Sequence, residues 1–190
     1  MKKVIFIDRD GVINKDPAGW TPHSYVEKWE DFKFLPGSID ALKKLTQAGY
    51  CAILISNQGG ISKGYYTENA LNEINQNMLE KLKENGVKIE KTYYCIHQDS
   101  DNCNCRKPKI GLFEKAKKEL NLNTSDAYFI GDGIMDVEAG IKFGLRTILV
   151  LSGKTNLQNL KSCNIKPDYI FDNLLEAVNF ILRGSKLVDG

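Results

Sequence analysis

Residues 4–14 of the chain read Val-Ile-Phe-Ile-Asp-Arg-Asp-Gly-Val-Ile-Asn. Four apolar residues follow one another without interruption, which is typical of a strand that is buried on both faces of a parallel sheet. Two acids, Asp8 and Asp10, come directly after this run, and Gly11 allows the chain to turn. The stretch therefore predicts a central strand that ends in acidic side chains.

The same pattern of a short apolar run followed by a polar or glycine-rich turn recurs along the chain. It predicts further strands at 51–55, 127–130, 147–151 and 169–171. Helical periodicity fills the intervals, at 39–45, 67–82, 112–120, 137–143 and 174–182. Alternating strands and helices indicate an α/β fold with a doubly wound, Rossmann-like parallel sheet.

The length of 190 residues, with 42% apolar and 26% charged residues, is typical of one globular domain spanning 1–190. Segment 15–33 has little periodicity, and we expect a long loop near the functional site. The net charge of +2 gives no reason to expect nucleic acid as a partner. No apolar run has the length of a membrane span, and the amino terminus does not resemble a signal peptide. We expect a cytoplasmic monomer with no membrane partner.

Polar residues that could bind a ligand follow three of the predicted strands. They are Asp8, Asp10, Ser56, Asn57, Asp132 and Asp136. Because ligands bind at the carboxyl ends of parallel strands, we expect these side chains to share one pocket. Converging carboxylates repel one another, and Mg²⁺ with its preference for oxygen ligands would relieve that repulsion. Any one of these aspartates could instead begin a turn or cap a helix, so the prediction depends on the whole set.

A second cluster lies in segment 95–105. It consists of Cys95, His97, Cys103 and Cys105. Four nitrogen and sulfur ligands are the usual set for a closed, structural Zn²⁺ site. Free or redox-active cysteines are the alternative interpretation. The residues between the ligands are mostly polar, so zinc would fix a loop that cannot bury a core of its own. Cys51 and Cys163 are isolated, and we expect both to be structural.

Four short motifs, in order along the chain, resemble those of the haloacid dehalogenase superfamily. The stretch FIDRDGVIN is similar to the first motif and ISNQGG to the second, Lys107 matches the third, and GDGIMD is similar to the fourth. The resemblance implies a Mg²⁺-dependent phosphatase. The short intervals between the predicted strands leave no room for a large cap domain.

The motifs give each residue a role in phosphate ester hydrolysis. Asp8 would attack phosphorus and form an aspartyl-phosphate, and Asp10 would act as general acid and then as general base. Mg²⁺ would be held by Asp8, by the Asp10 carbonyl and by Asp132, with Asp136 a further or water-mediated contact. Catalytic Ser56 and Lys107, with Asn57, would neutralise the charge on the phosphoryl oxygens.

Two groups within the superfamily carry a similar cysteine-rich tract. These are the D-glycero-D-manno-heptose 1,7-bisphosphate phosphatases and the bacterial histidinol phosphatases. The stretch NQGGISKGYYTE (57–68) resembles the heptose enzymes and favours removal of a 7-phosphate. It implies Asn57, Gln58 and Gly59 as substrate-binding residues, and Lys63 and Arg106 as residues that meet a second phosphate.

Two features leave the substrate open. Gly133 stands where the heptose enzymes usually have lysine, and the five-residue spacer between His97 and Cys103 is also found in histidinol phosphatases. A histidinol phosphatase is therefore the alternative within the superfamily. A regulatory domain phosphorylated on aspartate is an alternative of another class, although it needs neither a second acid at Asp10 nor a zinc loop. A catalytically silent zinc-stabilised binding domain is a third, and the pair of acids argues against it.

Overall fold

Strand β1 (Val4–Ile7) lies inside a parallel six-stranded sheet. The computed structural model describes residues 3–156, 158, 160 and 164–186, so Cys163 lies outside the described residues. The other strands are β2 (Cys51–Asn57), β3 (Lys91–Cys95), β4 (Tyr128–Gly131), β5 (Arg146–Val150) and β6 (Tyr169–Phe171). Their order across the sheet is β3-β2-β1-β4-β5-β6.

Helices cover both faces of this sheet. They are α1 (Ser38–Gln47), α2 (Glu68–Glu84), α3 (Gly111–Glu119), α4 (Ile134–Phe143) and α5 (Leu174–Lys186). On one face, Leu42 of α1, Ile74 of α2 and Val178 of α5 pack in one cluster. On the other face, Phe113 of α3 and Ala139 of α4 pack in a second cluster. The predicted doubly wound α/β fold is confirmed.

Strand β3 is an element that the sequence pattern did not predict. It pairs only with β2 and forms an edge of the sheet. Tyr93 and Cys95 are buried, whereas Lys91 is exposed and Thr92 and Tyr94 are half-buried. An edge strand can expose one face to water, so its sequence lacks the unbroken apolar run that identifies the central strands.

Segment 15–33 lies in the connection between β1 and α1 and contains a short 3-10 turn at Trp29–Asp31. Its two ends are joined by a hydrogen bond from the Lys15 amide to the Lys33 carbonyl (2.8 Å). Val26 and Phe32 are buried in the core on the α1 side. The described connections between strands contain no cap domain, and none of the described helices is both long and apolar enough to cross a membrane.

We expect Phe113→Ala to lower the free energy of unfolding by about 3–5 kcal/mol, the usual cost of removing a buried ring. Phe113 is fully buried, with its ring centroid 5.2 Å from that of Phe6 and 5.0 Å from that of Phe129. Urea denaturation measures the change. Ile141→Ala on the exposed side of α4 is the control, with an expected change within about 0.5 kcal/mol. Equal effects of the two substitutions would contradict this description of the core.

Candidate active site

The pocket at the carboxyl ends of the central strands begins with Asp8. Its amide donates to the Ile130 carbonyl (2.9 Å), which extends the contact between β1 and β4, and its Oδ1 accepts from the Arg9 amide (2.7 Å). The chain then turns at Gly11, which has φ of +76°. A Cβ at Gly11 would lie 2.2 Å from Asp132 Oδ2. The turn therefore needs glycine for both backbone conformation and space.

This pocket contains most of the residues that the sequence motifs indicated. Its lining consists of Asp8, Asp10, Ser56, Asn57, Lys107, Asp132, Gly133, Met135, Asp136 and Lys154. Asp8, Asp132 and Asp136 each offer a carboxylate oxygen, and these oxygens lie within 4.8 Å of one another. Three converging carboxylate oxygens suit a divalent cation that prefers hard ligands, such as Mg²⁺.

Lys107 is the cation at the floor of the pocket, and it is 2% exposed. Its Nζ lies 3.0 Å from Asp8 Oδ2 and 2.6 Å from Asp136 Oδ1, and it donates to the Ile55 carbonyl (3.0 Å). Burial alone would lower the pKa of Lys107, but Asp136 and Asp8 outweigh burial and raise that pKa above its ordinary value. The ammonium therefore stays charged against the acids.

Two acids of the pocket, Asp8 and Asp132, have raised pKa values. Burial raises the pKa of Asp8, and Asp136 and Asp10 raise it further, while Lys107 opposes the shift. Burial also raises the pKa of Asp132 well above its ordinary value, and Asp136 and Asp8 add to the effect. Without a further positive charge, these two groups hold their protons at higher pH than an exposed aspartate does.

Asp10 is held differently from its neighbours. Its Oδ1 accepts from Arg9 Nε (3.1 Å) and Asn14 Nδ2 (2.8 Å), and its Oδ2 accepts from Arg9 Nη2 (3.1 Å) and Gln58 Nε2 (2.8 Å). Burial would raise the pKa of Asp10, but Arg9, Asn14 and Gln58 together lower it. Sequence reasoning pictured a carboxylate free for proton transfer. The structure shows a carboxylate already engaged by four donors.

The segment after β2 organises the pocket from the side. The Asn57 side chain donates to the Lys107 carbonyl (3.1 Å) and accepts from the Lys107 amide (3.0 Å). Gln58 is fully buried, and besides Asp10 it contacts Ser56 Oγ (3.2 Å) and accepts from the Tyr66 hydroxyl (2.7 Å). Ser56 and Asn57 thus line the pocket, whereas the Gln58 side chain lies behind it and positions Asp10.

The four cysteine and histidine residues of segment 95–105 come together beside the pocket. Cys95 Sγ lies 2.9 Å from Cys105 Sγ and 3.6 Å from Cys103 Sγ, and His97 Nδ1 lies 3.3 Å from Cys105 Sγ. All four possible ligand atoms fall within 4.8 Å of one another. Two sulfurs on one tetrahedral zinc, with Zn–S bonds of about 2.3 Å, lie about 3.8 Å apart. The Cys95–Cys103 distance matches this value, whereas Cys105 Sγ would have to move away from Cys95 Sγ when the ion binds. The donor set of three sulfurs and one imidazole nitrogen is that of a structural zinc site.

Arg106 faces this cysteine loop. Its Nε donates to Asp99 Oδ1 (2.8 Å) and its Nη1 to the His97 carbonyl (3.3 Å). Gly59 lies between these groups, since a Cβ there would be 2.9 Å from the His97 oxygen. Lys63 Nζ lies 5.7 Å from the centre of the Tyr25 ring. Neither Arg106 nor Lys63 is part of the pocket lining, and their contact with a second phosphate stays a prediction.

Three residues of the site were missed by sequence reasoning. Arg9 is fully buried and pairs with Asp10, while Met135 and Lys154 line the pocket. Lys154 could have been found, because it follows β5 at the same edge of the sheet as the acids. Arg9 could not, since an arginine beside two acids resembles an ordinary surface charge in the sequence.

Comparison with known proteins agrees with this geometry. The HAD-hydrolase-like family model matches residues 104–177. A D-glycero-β-D-manno-heptose-1,7-bisphosphate 7-phosphatase of Pasteurella multocida is 35% identical over 188 residues, covering 95% of this chain and 97% of that protein. The chain belongs to the heptose-bisphosphate phosphatase family of HAD-like hydrolases. Another member of this family, the D-glycero-α-D-manno-heptose-1,7-bisphosphate 7-phosphatase of Campylobacter jejuni, is 34% identical over 180 residues, which cover 94% of this chain and 95% of the relative.

A solved structure of the family is also similar. It is the D,D-heptose 1,7-bisphosphate phosphatase of B. bronchiseptica in complex with magnesium and phosphate, with a TM-score of 0.87 and 27% identity. The superposition covers 96% of this chain and 99% of the other. The predicted resemblance to haloacid dehalogenase-type phosphatases is therefore confirmed.

We expect Mg²⁺ to bind more weakly as pH falls and to release protons when it binds. Asp8 and Asp132 have raised pKa values, so the metal-free folded protein holds protons there above the ordinary carboxyl pKa of 3.8. The same two groups make the metal-free protein less stable as pH rises above that value. Calorimetric titration of Mg²⁺ at about pH 5 and about pH 8, in buffers of different protonation enthalpy, measures both effects. Equal affinities without proton release would contradict the raised values.

Proposed function

We propose that the protein hydrolyses a phosphate monoester with Mg²⁺, and that its substrate is D-glycero-D-manno-heptose 1,7-bisphosphate, from which it removes the 7-phosphate. The observation that carries this proposal is the pocket itself, in which Asp8 faces Lys107 and two further carboxylates at the strand ends. The 35% identity to a heptose-bisphosphate 7-phosphatase over nearly the whole chain supports the choice of substrate.

In this proposal Asp8 is the nucleophile. A carboxylate oxygen of Asp8 forms a bond to phosphorus as the bond to the sugar oxygen breaks, which leaves an aspartyl-phosphate and a sugar alcohol. Lys107, 3.0 Å from Asp8, and the nearby Ser56 and Asn57 hold the phosphoryl oxygens on which charge develops. Asp8, Asp132 and the Asp10 carbonyl would hold Mg²⁺, with Asp136 beside them, and the ion when bound supplies positive charge to the phosphate.

In this proposal Asp10 acts first as general acid and then as general base. Its low pKa keeps it ionised in the free protein, and a phosphate dianion arriving beside it raises that pKa and favours uptake of a proton. Asp10 can then protonate the sugar oxygen as it leaves. Afterwards its carboxylate takes a proton from the water that hydrolyses the aspartyl-phosphate. Arg9, Asn14 and Gln58 keep the carboxylate in place throughout.

The comparisons also weigh on the alternatives. Relatives that match nearly the whole chain include enzymes named for heptose bisphosphate, which supports that substrate over histidinol phosphate. They include both a β-specific and an α-specific name, at 35% and 34% identity, so identity does not choose an anomer. The network around Asp10 favours an enzyme over a regulatory domain, because a stable phospho-acceptor needs no second acid to complete hydrolysis.

We also propose one structural Zn²⁺ in the cysteine loop, held by Cys95, His97, Cys103 and Cys105. Four ligand atoms leave no open position for water, so the ion would order the loop rather than take part in the chemistry. The ion would act on the pocket by fixing the position of the neighbouring backbone. The backbone amide of Gln58 donates to the Cys95 carbonyl (2.6 Å), and the loop is followed directly by Lys107. Thiolate ligands suit the reducing cytoplasm, where we place the reaction.

Asp8→Asn should lower turnover of heptose 1,7-bisphosphate by several orders of magnitude, because a neutral amide cannot attack phosphorus. Phosphate release from heptose 1,7-bisphosphate, fructose 1,6-bisphosphate and histidinol phosphate, compared at equal concentration, measures both mechanism and substrate. Asp126→Asn, a surface change at a side chain 84% exposed, is the matched control and should leave turnover unchanged. Near-normal turnover by Asp8→Asn would refute the mechanism, and preference for histidinol phosphate would refute the substrate.

Protein purified without added metal should contain about one zinc per chain by elemental analysis. Cys103→Ser and Cys105→Ser should each lose the ion, whereas Cys51→Ser, which changes a buried cysteine far from the loop, should retain it. Chelation should lower activity without unfolding the sheet, whose core lies elsewhere. Absence of zinc, with the three thiols of Cys95, Cys103 and Cys105 titrating freely, would show that the cluster is not a metal site.

A further inference from the structure

The loop after β5 wraps closely around Asp132. The Lys154 amide donates to Asp132 Oδ2 (2.7 Å), and the Thr155 amide donates to the Asp132 carbonyl (3.2 Å). A Cβ at Gly153 would lie 2.0 Å from Asp132 Oδ2, so only glycine fits there. Ser152 Oγ donates to the Gly11 carbonyl (2.7 Å), which joins the loop to the turn after Asp8. The backbone at Lys154 is therefore fixed against the metal-binding acids.

The side chain of Lys154 is exposed at the rim of the same pocket. The pocket lining contains two cations, and the other one, Lys107, is buried and committed to Asp8 and Asp136. Among the described residues, no carboxylate oxygen lies within ion-pair distance of the Lys154 ammonium. A lysine side chain exposed at the rim carries a positive charge at neutral pH.

Gly133 lies on the other side of Asp132 and adds no side chain to the rim. Its φ of −122° and ψ of 157° are ordinary extended backbone, and a Cβ there would meet Asp136 Oδ2 at 3.3 Å. The backbone conformation therefore suits any residue, and a side chain fits if the Asp136 carboxylate shifts by a few tenths of an ångström. Among the described residues that line the pocket, Lys154 is the cation at the rim beside Asp132.

We propose that Lys154 binds the phosphate that the enzyme does not transfer, and thereby favours a bisphosphate over a monophosphate. This inference rests on the proposed function. Asp8 and Lys107 contact the phosphate that reacts. A second phosphate on the same sugar therefore needs a different cation, outside the part of the pocket that Lys107 occupies. An unpaired ammonium on a fixed backbone provides a charge-assisted hydrogen bond there.

Arg106 is less available for this role in the observed conformation. Two of its nitrogens are occupied by Asp99 and the His97 carbonyl, and its side chain is 15% exposed. To reach a substrate it would have to give up at least one of these partners. Lys154 has no such partner to lose among the described residues.

The test compares substrates that differ by one phosphate, with Mg²⁺ present throughout. Lys154→Ala should lower kcat/KM for heptose 1,7-bisphosphate roughly 10- to 100-fold, the size expected for loss of one hydrogen bond to a charged group. For heptose 7-phosphate and p-nitrophenyl phosphate the loss should be below about 3-fold. Lys81→Ala, on the exposed side of α2, removes an equal charge and should change none of the three.

A double variant tests whether a lysine at another position beside Asp132 can replace Lys154. Gly133→Lys in the Lys154→Ala protein should restore a large part of the bisphosphate activity, because it returns a charge to the other side of Asp132. Equal losses on all three substrates would overturn the proposal and show that Lys154 serves the reacting phosphate or Asp132. An unchanged bisphosphate rate would overturn it as well.

A binding measurement separates this inference from the proposed substrate. In Asp8→Asn protein, which should bind substrate without hydrolysing it, calorimetry compares fructose 1,6-bisphosphate with fructose 6-phosphate, with and without Lys154→Ala. Loss of the preference for the bisphosphate supports the role of Lys154 even if the wild-type protein releases no phosphate from the heptose. A preference that survives Lys154→Ala refutes that role, whichever substrate the wild-type protein hydrolyses.

Discussion

The paired contacts of Lys107 with Asp8 and Asp136 hold three distant parts of the chain in one place. Asp8 ends β1, Asp136 lies in the first turn of α4, and Lys107 follows the cysteine loop. A buried ammonium without these acids would be costly, and buried acids without it would repel one another. The sheet brings the three backbones to one edge, and the ion pairs fix their side chains there. The side chain of Asn57, at the end of β2, also holds the Lys107 backbone through two hydrogen bonds.

Much of the fold was readable because central parallel strands need unbroken apolar runs. The strand at 51–55, for example, appears in β2 with its residues buried on both faces. The edge strand β3 was not predicted because it begins with two polar residues, Lys91 and Thr92, and only Tyr93 and Cys95 of its residues are buried. The start of α4 was also placed late, since the pattern indicated Val137 whereas the helix begins at Ile134. Helix ends depend on capping contacts, which periodicity does not encode.

The acidic residues of the site were predictable as a group, because the carboxyl ends of parallel strands necessarily meet. Their individual environments were not. Burial and the nearby acids raise the pKa of Asp8. Two residues away, Arg9 and Gln58 help to outweigh burial and lower the pKa of Asp10, although Gln58 lies 48 positions along the chain. Such contacts depend on side-chain packing in three dimensions and leave no spacing signal in the sequence.

The enclosure of Asp132 by Gly11 and Gly153 divides the site into a rigid part and an adjustable part. No side chain fits at either glycine without displacing the carboxylate. Gly133, Met135 and Lys154 stand around the same aspartate but open outward. A side chain is therefore sterically excluded at Gly11 and Gly153, whereas the exposed side chains of Met135 and Lys154 have room to differ. A chain of this kind can exchange one phosphorylated metabolite for another by altering a few rim residues, while its hydrolytic chemistry is inherited unchanged.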